Sequence, residues 1–214
     1  MPARRQRWKR RKEERPKEIL SAALDVFAAK GFAAARMDDI AARARVSKGT
    51  LYRYYKSKED VFRALVRAAI VPNVAAAEDA VANMKLGAKD TLRFIVTRMS
   101  QVIRQGKIAA VPKLVLAESG NFPKLARFYK QEVIARGLKL LSGVIERGVA
   151  SGEFAPVKGD FAARLCVAPL LMMALWRMTF AAHDTEPFDE EGFVATHLDV
   201  LTKGLSATQK EKRA

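Results

Sequence analysis

Lys48, Thr50, Tyr52, Arg53 and Tyr54 stand in the short run KGTLYRY, with Lys58 just beyond it. Their types fit recognition of double-stranded DNA. A lysine ammonium bonds the acceptor edge of guanine, and a threonine methyl meets the thymine methyl. Tyrosine hydroxyls and the Lys58 ammonium suit phosphate oxygens. No catalytic grouping competes with this one. His183 and His197 are the only histidines, and neither has an HExxH or CxxC partner. They read as a loop histidine and a helix-face histidine, with a regulatory metal site including Asp184 as the minor alternative. Asp189, Glu190 and Glu191 read as an acidic helix start. The residues therefore imply no enzyme, no metal and no cofactor.

The DNA-facing types need an element to present them. Ile40, Ala41 and Ala44 share one face of a short helix, with Asp38 and Asp39 in its first turn. Val46 falls in a break, and Ser47 is a good N-cap for a second helix from Lys48 to about Tyr55. Leu51 and Tyr55 are four apart and point together at a core. Ser57 to Asp60 forms a capping box that opens the next helix. Two short helices around a tight turn make a helix-turn-helix, whose second helix enters the major groove. Spacing alone leaves an ordinary helical hairpin with a polar surface as the alternative.

The stretch DDIAARARV followed by SKGTLYRYYKSKEDVF closely resembles the DNA-binding domain of the tetracycline-repressor (TetR) family, over about Ile19 to Leu65. The resemblance implies that Ser47 caps the recognition helix. It implies that Lys48, Gly49, Thr50 and Tyr52 face DNA and that Tyr54 and Lys58 hold phosphates. Two positions depart from the family pattern. Ala35 and Arg36 replace its threonine or serine ahead of Met37, which loses a hydroxyl cap and offers Arg36 as a DNA contact. Arg45 replaces its turn glycine. A left-handed conformation there costs a non-glycine residue on the order of 1 kcal/mol, so either the turn is altered or Arg45 offsets the cost through a phosphate. Farther on, LVLAESGNFPKLARFY resembles the ligand-binding domains of the AefR-like, multidrug-regulator-like branch.

The whole chain agrees with a DNA partner. Its 214 residues carry a formal net charge of +16. Residues 1–60 hold 17 basic and 8 acidic side chains, so +9 is concentrated there and +7 spread over the rest. A basic stripe of this kind fits phosphates. A membrane surface is the competing partner, but the basic segment lacks the apolar face of an interfacial helix. The single cysteine, Cys166, allows no disulfide within one chain and fits a reducing cytoplasm. No apolar stretch follows the basic N-terminus, so no secretory signal is read there.

In chain order, residues 1–12 carry seven basic side chains and no acid, and read as a flexible arm that either solubilises or reaches DNA. A first folded helix is predicted from Arg15–Pro16 to Lys30, ended by Gly31. The helix from Lys58 is interrupted near Pro72. Beyond Lys89 every pattern is helical. Asp160 is expected to cap a helix from Phe161 to about Ala182 that is apolar nearly all round and so buried on more than one side. A last helix covers Glu190 to Leu205. In the resembled family these two helices pair with their mates across a two-fold axis, which implies a homodimer through residues 161–182 and 190–205. Phe94, Met99, Phe128, Tyr129, Met172, Met173, Trp176 and Phe180 either line an apolar ligand cavity or are plain core.

The expected protein is all-α, with about nine helices. Residues 1–14 are the arm, 15–62 the helix-turn-helix domain, 63–205 a ligand-binding and dimerisation domain, and 206–214 a polar tail. Its partners are double-stranded operator DNA and a small-molecule effector, not a membrane. The expected function is a cytoplasmic, ligand-responsive transcriptional regulator, most simply a repressor. The alternatives are a helical enzyme or small-molecule carrier and a sequence-independent DNA-compacting protein.

Overall fold

The structure is a computed structural model that describes residues 2–104 and 106–207, with side chains from residue 14 on, 106 and 107 excepted. The polar tail from residue 208 and the side chains of the basic arm lie outside the described residues. In order, the helices are α1 (Pro2–Ala34), α2 (Met37–Arg43), α3 (Lys48–Tyr54), α4 (Lys58–Ala69), α5 (Val71–Asn83) and α6 (Ala88–Arg104). They continue as α7 (Ala110–Glu118), α8 (Pro123–Tyr129), α9 (Ala135–Ala150), α10 (Gly159–Thr179) and α11 (Glu190–Leu205). Among the described residues the only extended pairing is an isolated bridge between Phe154 and Ser206.

The backbone of α1 begins at Pro2 and runs through Pro16, where the sequence predicts an arm and then a helix start. Arginine, lysine, glutamate and glutamine are good helix formers, and no glycine interrupts the stretch. The expected end at Gly31 is marked by φ 75°, after which Phe32 to Ala34 form one further turn.

The chain forms two compact units: residues 1–70 with 110–129, and residues 71–109 with 130–214. The first unit is built on aromatic rings. Phe27 lies 5.3 Å from Phe32, Phe62 lies 5.9 Å from Phe32, and Phe122 meets Phe32 edge-on at 4.8 Å. Ile19, Ala23, Ile40, Leu51 and Val61 complete this core. Helices α7 and α8 belong here through Val111, Leu114, Leu125 and Phe128, a grouping the sequence does not announce. Two ion pairs, Arg43 to Asp25 and Lys30 to Asp39, tie α2 to α1.

The second unit has its core in Leu92, Ile95, Leu141, Ile145, Phe154, Cys166, Leu170 and Leu198. Gly148 admits the Phe154 ring, since a Cβ there would lie 2.2 Å from it. The Glu153 carboxylate accepts the backbone N–H groups of Ala88 and Lys89 at 2.9 and 3.1 Å, capping α6. Arg136 pairs with Glu78, joining α9 to α5. A π-turn over Lys130–Ile134 leads into α9. The N-cap of α10 is Lys158 rather than Asp160, because the helix starts at Gly159 and leaves Asp160 in its first turn. Asp189 caps α11 by accepting the Gly192 N–H at 2.9 Å. His197 hydrogen-bonds the Cys166 carbonyl at 3.0 Å. Burial pushes the Cys166 thiol up to about 12.

Candidate nucleic-acid interface

The recognition helix is held by its caps. The Ser47 hydroxyl accepts the Thr50 N–H at 3.1 Å, and Ser57 does the same for Asp60 at 3.2 Å at the start of α4. Leu51 is fully buried and fixes the inner face of α3, while Tyr55 at its C-cap is half-buried. Burial raises the Tyr55 hydroxyl pKa.

The turn keeps its left-handed residue. Arg45 has φ 55°, and no other described non-glycine residue has a positive φ. The Val46 N–H reaches back to the Ala41 carbonyl at 3.0 Å and the Arg45 N–H to Ala42 at 3.1 Å. This is a Schellman closure of α2, with arginine standing where glycine is usual. At the other end of α2, Arg36 is the N-cap, and its N–H donates to Asp39 at 3.0 Å. Asp39 thus supplies the carboxylate half of a capping box, satisfying the N-cap N–H rather than the donors a hydroxyl cap would take. Lys30, then the Arg36 N–H, hold the Asp39 carboxyl below its usual pKa.

The exposed face of α3 is built from Lys48, Gly49, Tyr52 and Arg53, with Thr50 and Tyr54 half-buried beside them. Lys48 is paired with Asp38 of α2, which raises its pKa. The Arg53 guanidinium lies 5.7 Å from the Tyr54 ring. Gly49 is informative by what surrounds it: a Cβ there would meet nothing within 4 Å. Glycine inside a helix costs about 1 kcal/mol relative to alanine, and nothing within the chain requires it here.

Lys58, expected to hold a phosphate, is engaged within the chain. Its ammonium donates to the carbonyls of Phe32, Ala33 and Ala35 at 2.8, 2.8 and 3.4 Å. A lysine has three donors, and all three are engaged.

The eight residues read as cavity or core fall in different places. Phe128 and Tyr129 lie in the first unit, where Arg67 sits 5.2 Å from the Phe128 ring and burial raises the Tyr129 pKa. Phe94 and Met99 pack on the core of the second unit. Met172, Met173 and Trp176 line an open pocket of about 690 Å³ together with Asp184 to Asp189 and Phe193. Phe180 packs on Trp176 at 5.1 Å. Phe188 and Phe193 also line it; Phe188 stands in the loop ahead of α11, where no periodicity marks it, and Phe193 stands on α11, where periodicity does not tell pocket from core.

On α10, Phe161, Leu165, Met172 and Trp176 are exposed, as is Phe180 at its C-cap, while Ala163, Cys166, Leu170 and Met173 are buried. One face is core and the other is an uncovered apolar stripe. By length and composition α10 alone among the described helices could cross a membrane, yet one of its faces is embedded in a protein core.

Comparison with known proteins places this geometry. The profile described as bacterial regulatory proteins, tetR family, matches residues 19–65. The profile for the C-terminal domain of AefR-like transcriptional repressors matches residues 90–200. A fatty acid metabolism regulator protein of Bacillus subtilis is 31% identical over 145 residues, covering 66% of this chain and 73% of that protein. The crystal structure of FadR from Bacillus subtilis, in complex with stearoyl-CoA, aligns with a TM-score of 0.73 at 24% identity over 88% of this chain and 98% of that one. The ketosteroid regulator KstR2 of Mycobacterium tuberculosis aligns at 0.72 and 20% identity, over 91% and 96%.

Proposed function

The chain belongs to the TetR family of bacterial regulators, and from that premise we propose that it is a repressor whose recognition helix α3 reads an operator and which a small, largely apolar effector releases. The observation that carries the DNA reading is the exposed face of Lys48, Gly49, Tyr52 and Arg53 on an α3 whose N-terminus Ser47 caps. Thr50 and Tyr54 flank that face. Arg36 and Arg45 stand at the two ends of α2, where backbone phosphates pass in this docking geometry.

The active form is a homodimer through α10 and α11. The uncovered stripe Phe161, Leu165, Met172 and Trp176, with Val200 of α11 exposed as well, supports this. A two-fold interface lets one patch serve both copies and sets two recognition helices about 34–36 Å apart.

The effector is acyl- or steroid-like in size and apolarity. The support is the fatty-acid regulator among the relatives and the ketosteroid regulator among the structural neighbours. The open pocket beside Met173 and Trp176 is a candidate seat. Asp184, Glu186 and Asp189 line it, so the pocket suits the apolar part of such an effector and leaves an anionic headgroup outside it. The protein acts in the cytoplasm and is not an enzyme; its relatives are regulators.

Gel-shift titration against the chain's own promoter region and a scrambled duplex tests the DNA reading. Addition of stearoyl-CoA or a steroid to the preformed complex tests release. Loss of the shifted band supports an acyl or steroid effector, and an unchanged band with both argues against it.

A further inference from the structure

We propose that Lys58 and Glu118 are positioning residues for operator binding, gripping from both ends the terminal turn of α1 on which the helix-turn-helix hangs. The proposal rests on the repressor reading above. Gly31 kinks α1 with φ 75° and sets Phe32 to Ala34 apart as a short terminal turn. Two charged side chains hold that turn. The Glu118 carboxylate, buried to 8% exposure, accepts the Ala33 N–H at 2.9 Å. The Lys58 ammonium takes the carbonyls of Phe32, Ala33 and Ala35. It also lies 4.8 Å from the Phe32 ring and 5.4 Å from the Phe122 ring, a cation held against two aromatic faces. Phe122 is itself fixed, its N–H donating to the Glu118 carbonyl at 2.8 Å.

The turn held in this way ends at Ala35, and α2 begins at Met37. Any tilt of the turn is passed to α2 and then to α3. Operator binding requires both recognition helices to meet successive major grooves, so it is sensitive to such a tilt. Sequence-independent binding is driven by counterion release and is far less so. Glu118 lies on the segment 110–129, whose two ends continue into the chain of the second unit at Ala109 and Lys130.

The experiment compares Lys58→Met, Glu118→Ala, Glu118→Gln and the double variant Lys58→Met/Glu118→Ala with the native protein. Affinities for promoter and scrambled duplexes are measured over a salt series, with thermal melting followed in parallel. Lys58→Met and Glu118→Ala are expected to lower promoter affinity about tenfold while scrambled-duplex affinity stays within about threefold, and the double variant to fall little further. Glu118→Gln is expected to bind as the native protein does, because its amide oxygen accepts the same N–H. If Glu118→Ala does not fold, Lys58→Met and Glu118→Gln carry the test. A Lys58→Met protein that weakens on both duplexes alike, with a salt slope lower by about one, assigns Lys58 to a phosphate and overturns the proposal. Glu118→Gln behaving like Glu118→Ala overturns it too. A native protein without promoter preference overturns the repressor reading and this proposal together. Native preference that survives in both single variants overturns this proposal alone.

Discussion

At the scale of single residues, Gly49 separates stability from function most cleanly. Nothing within the chain occupies the space a Cβ would take, so Gly49→Ala is expected to stabilise the fold by about 0.5–1 kcal/mol. The same methyl should weaken operator binding if DNA approaches that face. Lys48→Ala and Thr50→Ala should each relax sequence preference, at about 1–3 kcal/mol if the side chain meets a base. Thermal melting and selection of bound sequences check the two effects. Arg45 gives the opposite contrast. Its φ of 55° costs about 1 kcal/mol, which Arg45→Gly should recover on melting. Weaker DNA binding by that variant would show that the guanidinium meets a phosphate. The caps Ser47 and Ser57 were legible in the sequence because their partners lie three residues away. The place of Lys58 was not. Its carbonyl partners lie 23 to 26 residues upstream, at the end of α1 where carbonyls have no helical partner, and no local pattern encodes that.

At the scale of elements, α6 depends on one carboxylate from a distant turn. The N–H groups of Ala88 and Lys89 hold the Glu153 carboxyl below its ordinary value of 4.5. A depressed pKa means that its stabilisation is complete above that ordinary value and is lost as pH falls through the folded one. Glu153→Ala should therefore cost about 0.5–2 kcal/mol at neutral pH, as for other N-caps, and flatten the fall in stability below the ordinary value. Urea titrations of both proteins across that range check it. Helix α10 was legible as apolar nearly all round and so in need of cover on both sides; within the chain one face is covered and the other is not. Its uncovered stripe predicts that Leu165→Glu gives monomers in sedimentation, with operator affinity falling as the second half-site contact is lost. The packing of α7 and α8 beside the helix-turn-helix was not legible. Helical periodicity says which face is apolar and is silent about which element covers it.

At the scale of the whole molecule, charge and family agree about the partner. The excess of +9 over residues 1–60 lies on the part of the chain that carries α2 and α3. Charge alone would bind any duplex, and such binding should weaken steeply with salt. The capped α3, with its free glycine face and outward lysine, tyrosine and arginine, is what should add preference. The helical class and the helix-turn-helix were legible because periodicity and capping are local. The fate of the eight apolar residues was not, because core and cavity differ in tertiary contacts and not in residue type. The central claim is that α3 reads sequence, and one measurement tests it most directly: the ratio of dissociation constants for the promoter duplex and a scrambled duplex at physiological salt. A repressor should bind its promoter about a thousandfold tighter or more. Equal affinity for the two duplexes would contradict the account and leave a protein that holds DNA by charge alone.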